Sequence, residues 1–185
     1  MSGESSRPSP SPDGARKGDK AVVTVTVAVS LTDAFEVFTQ ETDLWWRRGP
    51  KYRVAGRRPG ALQFEPRSDG RLFETYESAA GPQLFEIGRI TVWEPPSRLV
   101  FRWRNPTFSP EESTEVEVRF VELPSGNTQV TVEHRGWAAL RDDHPARHGN
   151  VGAAMSRMIG LHWGELLGAL REYLSETTRT RSTSD

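Results

Sequence analysis

From residue 61 onward the chain repeats one pattern, a stretch with apolar residues at alternate positions followed by a tight turn. Side chains of a strand alternate between its two faces, so the pattern predicts strands over 61–65, 71–78, 84–93, 98–104, 114–123 and 128–137. The breaks carry turn chemistry: Ser68-Asp69-Gly70, Ala80-Gly81-Pro82, Glu94-Pro95-Pro96-Ser97 and Pro124-Ser125-Gly126-Asn127. Links this short join antiparallel neighbours, because a parallel pair needs a long crossover. In 114–123, Val116, Val118 and Phe120 share one face while Glu115, Glu117 and Arg119 share the other. The expected sheet is therefore a meander with one buried face and one wet face.

Two further segments must cover the buried face. At the N-terminal side, "AVVTVTVAV" (21–29) alternates as a strand. Ser30 or Thr32 can then cap a short helix carrying Ala34, Phe35, Val37 and Phe38. "ETDLWWRR" reads as a second helical turn with Thr42 as its cap, and Gly49-Pro50 and Pro59-Gly60 bound a loop. At the C-terminal side, Val151, Met155, Met158, Ile159, His162, Leu166, Ala169, Leu170 and Tyr173 recur at helical spacing, predicting a helix over 150–174. Gly152, Gly160, Gly164 and Gly168 interrupt it, and since each costs ~1 kcal/mol relative to Ala, close packing against the sheet is their expected reason. Residues 1–20 and 175–185 hold too little apolar surface to bury and are expected to be disordered tails, leaving one folded domain over 21–174.

The resulting order is one strand, two short helices, a six-stranded meander and a long C-terminal helix. That order, with "DGRLFE", "GRITVWEPPSRLVFRW", "VTVEHRGW" and "GLHWGELLGALREYL", resembles the START-like helix-grip (SRPBCC) superfamily. Within it the chain is similar to the branch related to the C-terminal domain of the activator of the 90-kDa heat-shock-protein ATPase. The resemblance implies an α+β fold, a curved antiparallel sheet wrapped around the long helix, with space between sheet and helix.

Charge and composition remove several functions. Lys plus Arg number 24 against 25 Asp plus Glu, a formal charge of −1, without the basic excess that nucleic acid or an anionic membrane surface would call for. The chain has no cysteine, which excludes disulfides, thiolate zinc sites and a cysteine nucleophile, and fits a reducing cytoplasm. The N-terminus lacks the apolar core of a secretory signal, and no stretch approaches the ~20 apolar residues of a membrane helix.

Catalytic and metal motifs are equally sparse. His144 and His148 stand four apart beside Asp142 and Asp143, but Pro145 and Gly149 spoil a helical ligand pair, so no metal site is expected. No phosphate loop, nucleophile elbow or H-E-x-x-H occurs, and neither a catalytic residue nor a cofactor is assigned. His162 shares the apolar helix face, where it is either a satisfied core histidine or a polar handle in a pocket. His134 shares the strand run of Val130 and Val132 and is also expected to point inward.

Aromatic residues are the richest signal: besides Trp45, Phe85, Trp93, Trp137 and Trp163, the strands and loops hold Trp46, Phe64, Phe73, Tyr76, Phe101, Trp103 and Phe108. Such a load fills a solid core in most proteins, but between a curved sheet and one helix it can also line a cavity. The expected site accordingly comprises Trp46, Phe64, Phe73, Tyr76, Phe101, Trp103 and Phe108 together with His134, Met155, Met158, Ile159 and His162. The partner expected there is a small, largely apolar molecule, with no nucleic acid and no membrane. Two alternatives stand beside it: a cyclase- or hydrolase-like enzyme using His134, His162 or a buried carboxylate such as Glu74, and a chaperone-interaction module. A homodimer is left open, and a chaperone partner is disfavoured without being excluded.

Overall fold

The computed structural model describes residues 19–182. Its strands are β1 (Ala21–Val27), β2 (Gly60–Phe64), β3 (Arg71–Ser78), β4 (Gly81–Glu94), β5 (Arg98–Trp103), β6 (Thr114–Glu122) and β7 (Thr128–Arg135). Helices α1 (Leu31–Gln40) and α2 (Thr42–Trp45) follow β1, and α3 (Ala153–Ser182) closes the chain. Consecutive hairpins lay β2 to β7 side by side, and β1 pairs with β7, giving the all-antiparallel order β1-β7-β6-β5-β4-β3-β2. Register shifts at Leu72/Phe73 and at Ile90/Val92 mark bulges, which bend a strand and increase its twist. The sheet curls, and α3 lies in the curl beside β1 and α2. This is the α+β helix-grip architecture.

Cross-strand pairing explains which residues face the helix. Leu99↔Val118, Phe101↔Val116, Val116↔His134 and Val118↔Val132 put one continuous apolar row on the concave side. On the convex side Glu117 accepts hydrogen bonds from Arg98, Arg119 and Arg135 at 2.8, 2.9 and 3.0 Å. Arg119 leads in holding its carboxyl down to about 2, against the opposing effect of burial.

Local chemistry corrects several expectations. Ser30 is the cap of α1, its Oγ accepting from the Asp33 amide at 3.1 Å. Thr42 does not cap α2; its hydroxyl donates back to the carbonyls of Phe38 and Thr39 and so finishes α1. The expected tail after residue 174 is helical as far as Ser182, because no Gly or Pro interrupts it and the Thr177 and Thr178 hydroxyls return to carbonyls one turn back. At the other end Asp19 and Lys20 are fastened: Asp19 accepts from the Ala138 amide at 2.6 Å, and the Lys20 carbonyl accepts from Ser156 Oγ at 2.7 Å. The remaining tail residues, 1–18 and 183–185, lie outside the described residues. Close packing does not account for the helix glycines. A Cβ at Gly164 or Gly168 would meet nothing within 4 Å, and one at Gly160 would only touch Ala21 at 4.0 Å.

Candidate ligand-binding site

The interior has two halves with different contents. Beneath α1 and α2 the aromatic rings pack solidly, Phe35 edge-on to Phe120 at 5.2 Å and Phe38 against Trp45 at 5.0 Å. The ring chain continues through Trp46, which stacks on Trp103 at 6.1 Å and meets Trp163 edge-on at 5.6 Å. Beyond Trp103 the packing opens into a cavity of about 560 Å³.

Three loops and four regular elements, β4, β5, β7 and α3, build this cavity. Its floor is Ile87, Trp103, His134, Trp137 and Ile159, and its rim is formed by residues 50–54 and 56, 104–107, 145, 146 and 148 with Met158 and His162 of α3. Ile87 reaches it because the bulge in β4 leaves that residue unopposed on β3. Gly136, at φ 92, takes the left-handed turn that brings Trp137 back under the end of β7. Arg147 then fixes that turn, its Nη2 donating to the carbonyls of Trp137 and Leu140 at 2.6 and 2.9 Å.

The wall formed by residues 50–56 is held from below by a buried charge network. Arg53 donates to Asp43 at 2.7 Å and to the Trp46 carbonyl at 2.9 Å, while Glu74 accepts from the Val54 amide at 2.7 Å. From above, Tyr52 and Lys51 both donate to the Glu165 carboxylate on α3. The Tyr52 ring also lies over His162, 5.5 Å away and near parallel.

The two cavity histidines differ in their bonding. His134 Nδ1 accepts from Trp163 Nε1 at 3.1 Å, so its proton sits on Nε2, which donates to Thr114 Oγ1 at 2.8 Å. Burial foremost, then the neighbouring His162, lowers its pKa to about 3. His162 touches rings but makes no hydrogen bond to protein through its own, among the described residues. Burial, reinforced by Lys51 and opposed by Glu165, lowers it to about 4, so at neutral pH it offers an uncharged donor and acceptor. His144 is a structural residue: Nδ1 accepts from the Ala146 amide and Nε2 meets Glu112 at 3.1 Å, whereas His148 is exposed on the cavity rim.

Residues 28–174 match the model of the Activator of Hsp90 ATPase homolog 1-like protein family. The chain belongs to this family. No curated protein matches it. Among solved structures, it is similar to the protein of unknown function SA2116 from Staphylococcus aureus, at a TM-score of 0.63 and 13% identity, covering 86% of this chain and 95% of that one. It is also similar to CalU16 from Micromonospora echinospora, at a TM-score of 0.52 and 16% identity, covering 89% and 82%. A third similarity is to DynU16, from the dynemicin biosynthetic locus, at a TM-score of 0.54 and 18% identity, covering 85% of this chain and 47% of that one. At these identities the likeness concerns the fold.

In this member of the Activator of Hsp90 ATPase homolog 1-like family, the residues expected at the site separate into three groups. Trp103, His134, Met158, Ile159 and His162 line the cavity. Trp46, Phe64, Phe101, Phe108 and Met155 are buried in the packed core, Phe64 against Phe101 at 5.6 Å and Phe108 behind Trp137 at 6.2 Å. Phe73 and Tyr76 lie elsewhere, covered by the guanidinium groups of Arg71 and Arg58 at 4.9 and 4.4 Å. The β3 register pairs Phe73 with Glu86 while Leu72 and Glu74 are the buried residues of that strand. Glu74 is buried without lining the cavity, its carboxylate directed to Val54 and Arg53. The missed wall residues, Tyr52, Val54, Arg104 and Trp137 among them, sit in or next to aperiodic loops. Only the aromatic character of Tyr52 and Trp137 could have signalled them.

Proposed function

We propose that this protein binds a small, largely apolar molecule in the cavity between the sheet and α3. The observation that carries this is the half-open space of about 560 Å³ with Ile87, Trp103, Trp137, Met158 and Ile159 in its wall. Its size falls within the ~300–1,000 Å³ typical of small-molecule sites, and its composition, mostly apolar with a few polar groups, is typical too. His162 supplies one such polar group, and Met158 an adaptable thioether. A fold neighbour from a biosynthetic locus accords with a small-molecule role. For proton-transfer chemistry the candidates weigh less: His134 has both nitrogens engaged, and Glu74 holds the 50–56 loop. The chaperone-partner alternative rests on the family description alone.

Met158→Trp tests the proposal. In a packed core that added bulk costs ~1–3 kcal/mol; at this cavity wall the urea midpoint should shift by less than about 1 kcal/mol. Binding of an anilinonaphthalene dye, monitored by titration, should fall at least tenfold. No dye binding by the parent, with a large stability loss in the variant, would overturn the proposal.

A further inference from the structure

Two residues of the cavity wall carry a buried donor that has no acceptor among the described residues. Trp137 is only 3% exposed, yet its indole Nε1 makes no hydrogen bond among the described residues. Arg104 presents a second such group, its buried Nε. Both residues line the cavity. Register places them at the same end of the sheet, since Trp103 pairs with Thr114 and the adjoining Glu115 pairs with Arg135. Arg104 thus leaves the sheet after β5 and Trp137 just after β7, two strand spacings or about 10 Å apart across β6.

Buried N–H groups without acceptors are rare in native proteins, and two in one cavity wall point to an acceptor that enters with the ligand. The charges say what kind. Among the described residues lining the cavity none is acidic, whereas Lys51, Arg53 and Arg104 are basic. Lys51 is paired with Glu165, and Arg53 with Asp43. Arg104 has no carboxylate partner among the described residues; its terminal Nη2 donates to the Ser109 carbonyl at 3.0 Å. An unpaired guanidinium in a largely apolar wall favours an anionic oxygen, which accepts from it in charge-assisted bonds.

We infer that the ligand is an apolar or aromatic acid, whose carboxylate or comparable anionic oxygen is held by Arg104 and Trp137 Nε1 while its apolar body lies against Trp103, Met158 and Ile159. This rests on the cavity-binding proposal above and narrows it to one ligand class.

Three probes with one ring system provide the test: 2-naphthoate, 2-naphthylmethanol and 2-naphthylmethylammonium, titrated calorimetrically at 0.15 M salt against the full chain. Naphthoate should bind at least tenfold tighter than the alcohol, and the ammonium most weakly. Arg104→Gln should bring naphthoate to within about twofold of the alcohol. Trp137→Phe should weaken naphthoate several-fold, with alcohol binding within twofold of the parent in both variants. Arg104 is half-buried, so its variant keeps the test decisive if Trp137→Phe unfolds. Equal affinity for acid and alcohol, or a preference for the acid that survives Arg104→Gln, would overturn the inference while leaving apolar binding intact. Binding of none of the three probes would overturn both.

Discussion

His134 and His162 reach the same interior from β7 and α3, and their different bonding gives them opposite expected behaviour on mutation. His134 joins Thr114 and Trp163, so His134→Phe leaves a buried hydroxyl and a buried indole N–H without partners. Each such group costs about 1–3 kcal/mol. A urea midpoint should therefore show a loss of about 2–4 kcal/mol for His134→Phe and less than about 1 kcal/mol for His162→Phe, which breaks no protein hydrogen bond. Comparable losses for the two variants would contradict this division. The strand and helix periods were enough to turn both side chains inward. The partners were not legible, because Thr114 and Trp163 lie 20 and 29 residues from His134 and meet it only through the tertiary fold. For the same reason alternation does not tell which face of β3 carries Phe73: it gives two faces, and the bulge opposite it and the burial of Leu72 and Glu74 decide which one is inside.

At the scale of elements, the hairpins and α3 could be read almost directly, and the misreadings fall at termini and glycines. The apolar stripe of α3 runs through Met155, Ile159, Trp163, Leu166 and Leu170, whereas Gly160, Gly164 and Gly168 lie beside it. Helical spacing alone does not separate a tight contact from open space. Since a Cβ at 164 or 168 meets nothing, Gly164→Ala and Gly168→Ala should each stabilise by about 0.5–1 kcal/mol through helix propensity. Gly88→Ala should do the reverse, because its Cβ would stand 2.6 Å from the Arg102 carbonyl oxygen of the neighbouring strand. Thermal midpoints of the three variants check both directions.

For the whole molecule, the two depressed histidines predict an acid-sensitive fold. The folded pKa values, about 3 for His134 and about 4 for His162, lie below the unfolded value near 6.5. Their contribution is therefore fully present above pH ~6.5 and declines as pH falls, because only the unfolded chain takes up the protons. Each histidine should remove up to about 1.4 kcal/mol per pH unit below that point. Between pH 6.5 and about 5.5 the slope reports the histidines, because carboxylates such as Glu117, held near 2 in the fold, lose their contribution only as the unfolded chain takes up protons near the ordinary carboxylate value of 4.5. His162→Gln should flatten the urea-midpoint profile by about half, and a flat parent profile from pH 7 to 5 would contradict the assignment.

The cavity itself was the least legible feature at this scale, since residues 50–56, 104–107 and 145–148 have no period and are positioned by Asp43, Glu74, Arg147 and Glu165 from elsewhere in the chain. The ring assembly of Phe35, Phe38, Trp45 and Phe120 contributes nothing to that wall. The solid aromatic packing and the loop wall of the cavity thus lie in separate parts of one small domain. Residues of the three short loops can therefore be exchanged to reshape the cavity wall without disturbing the aromatic half on which the packing rests.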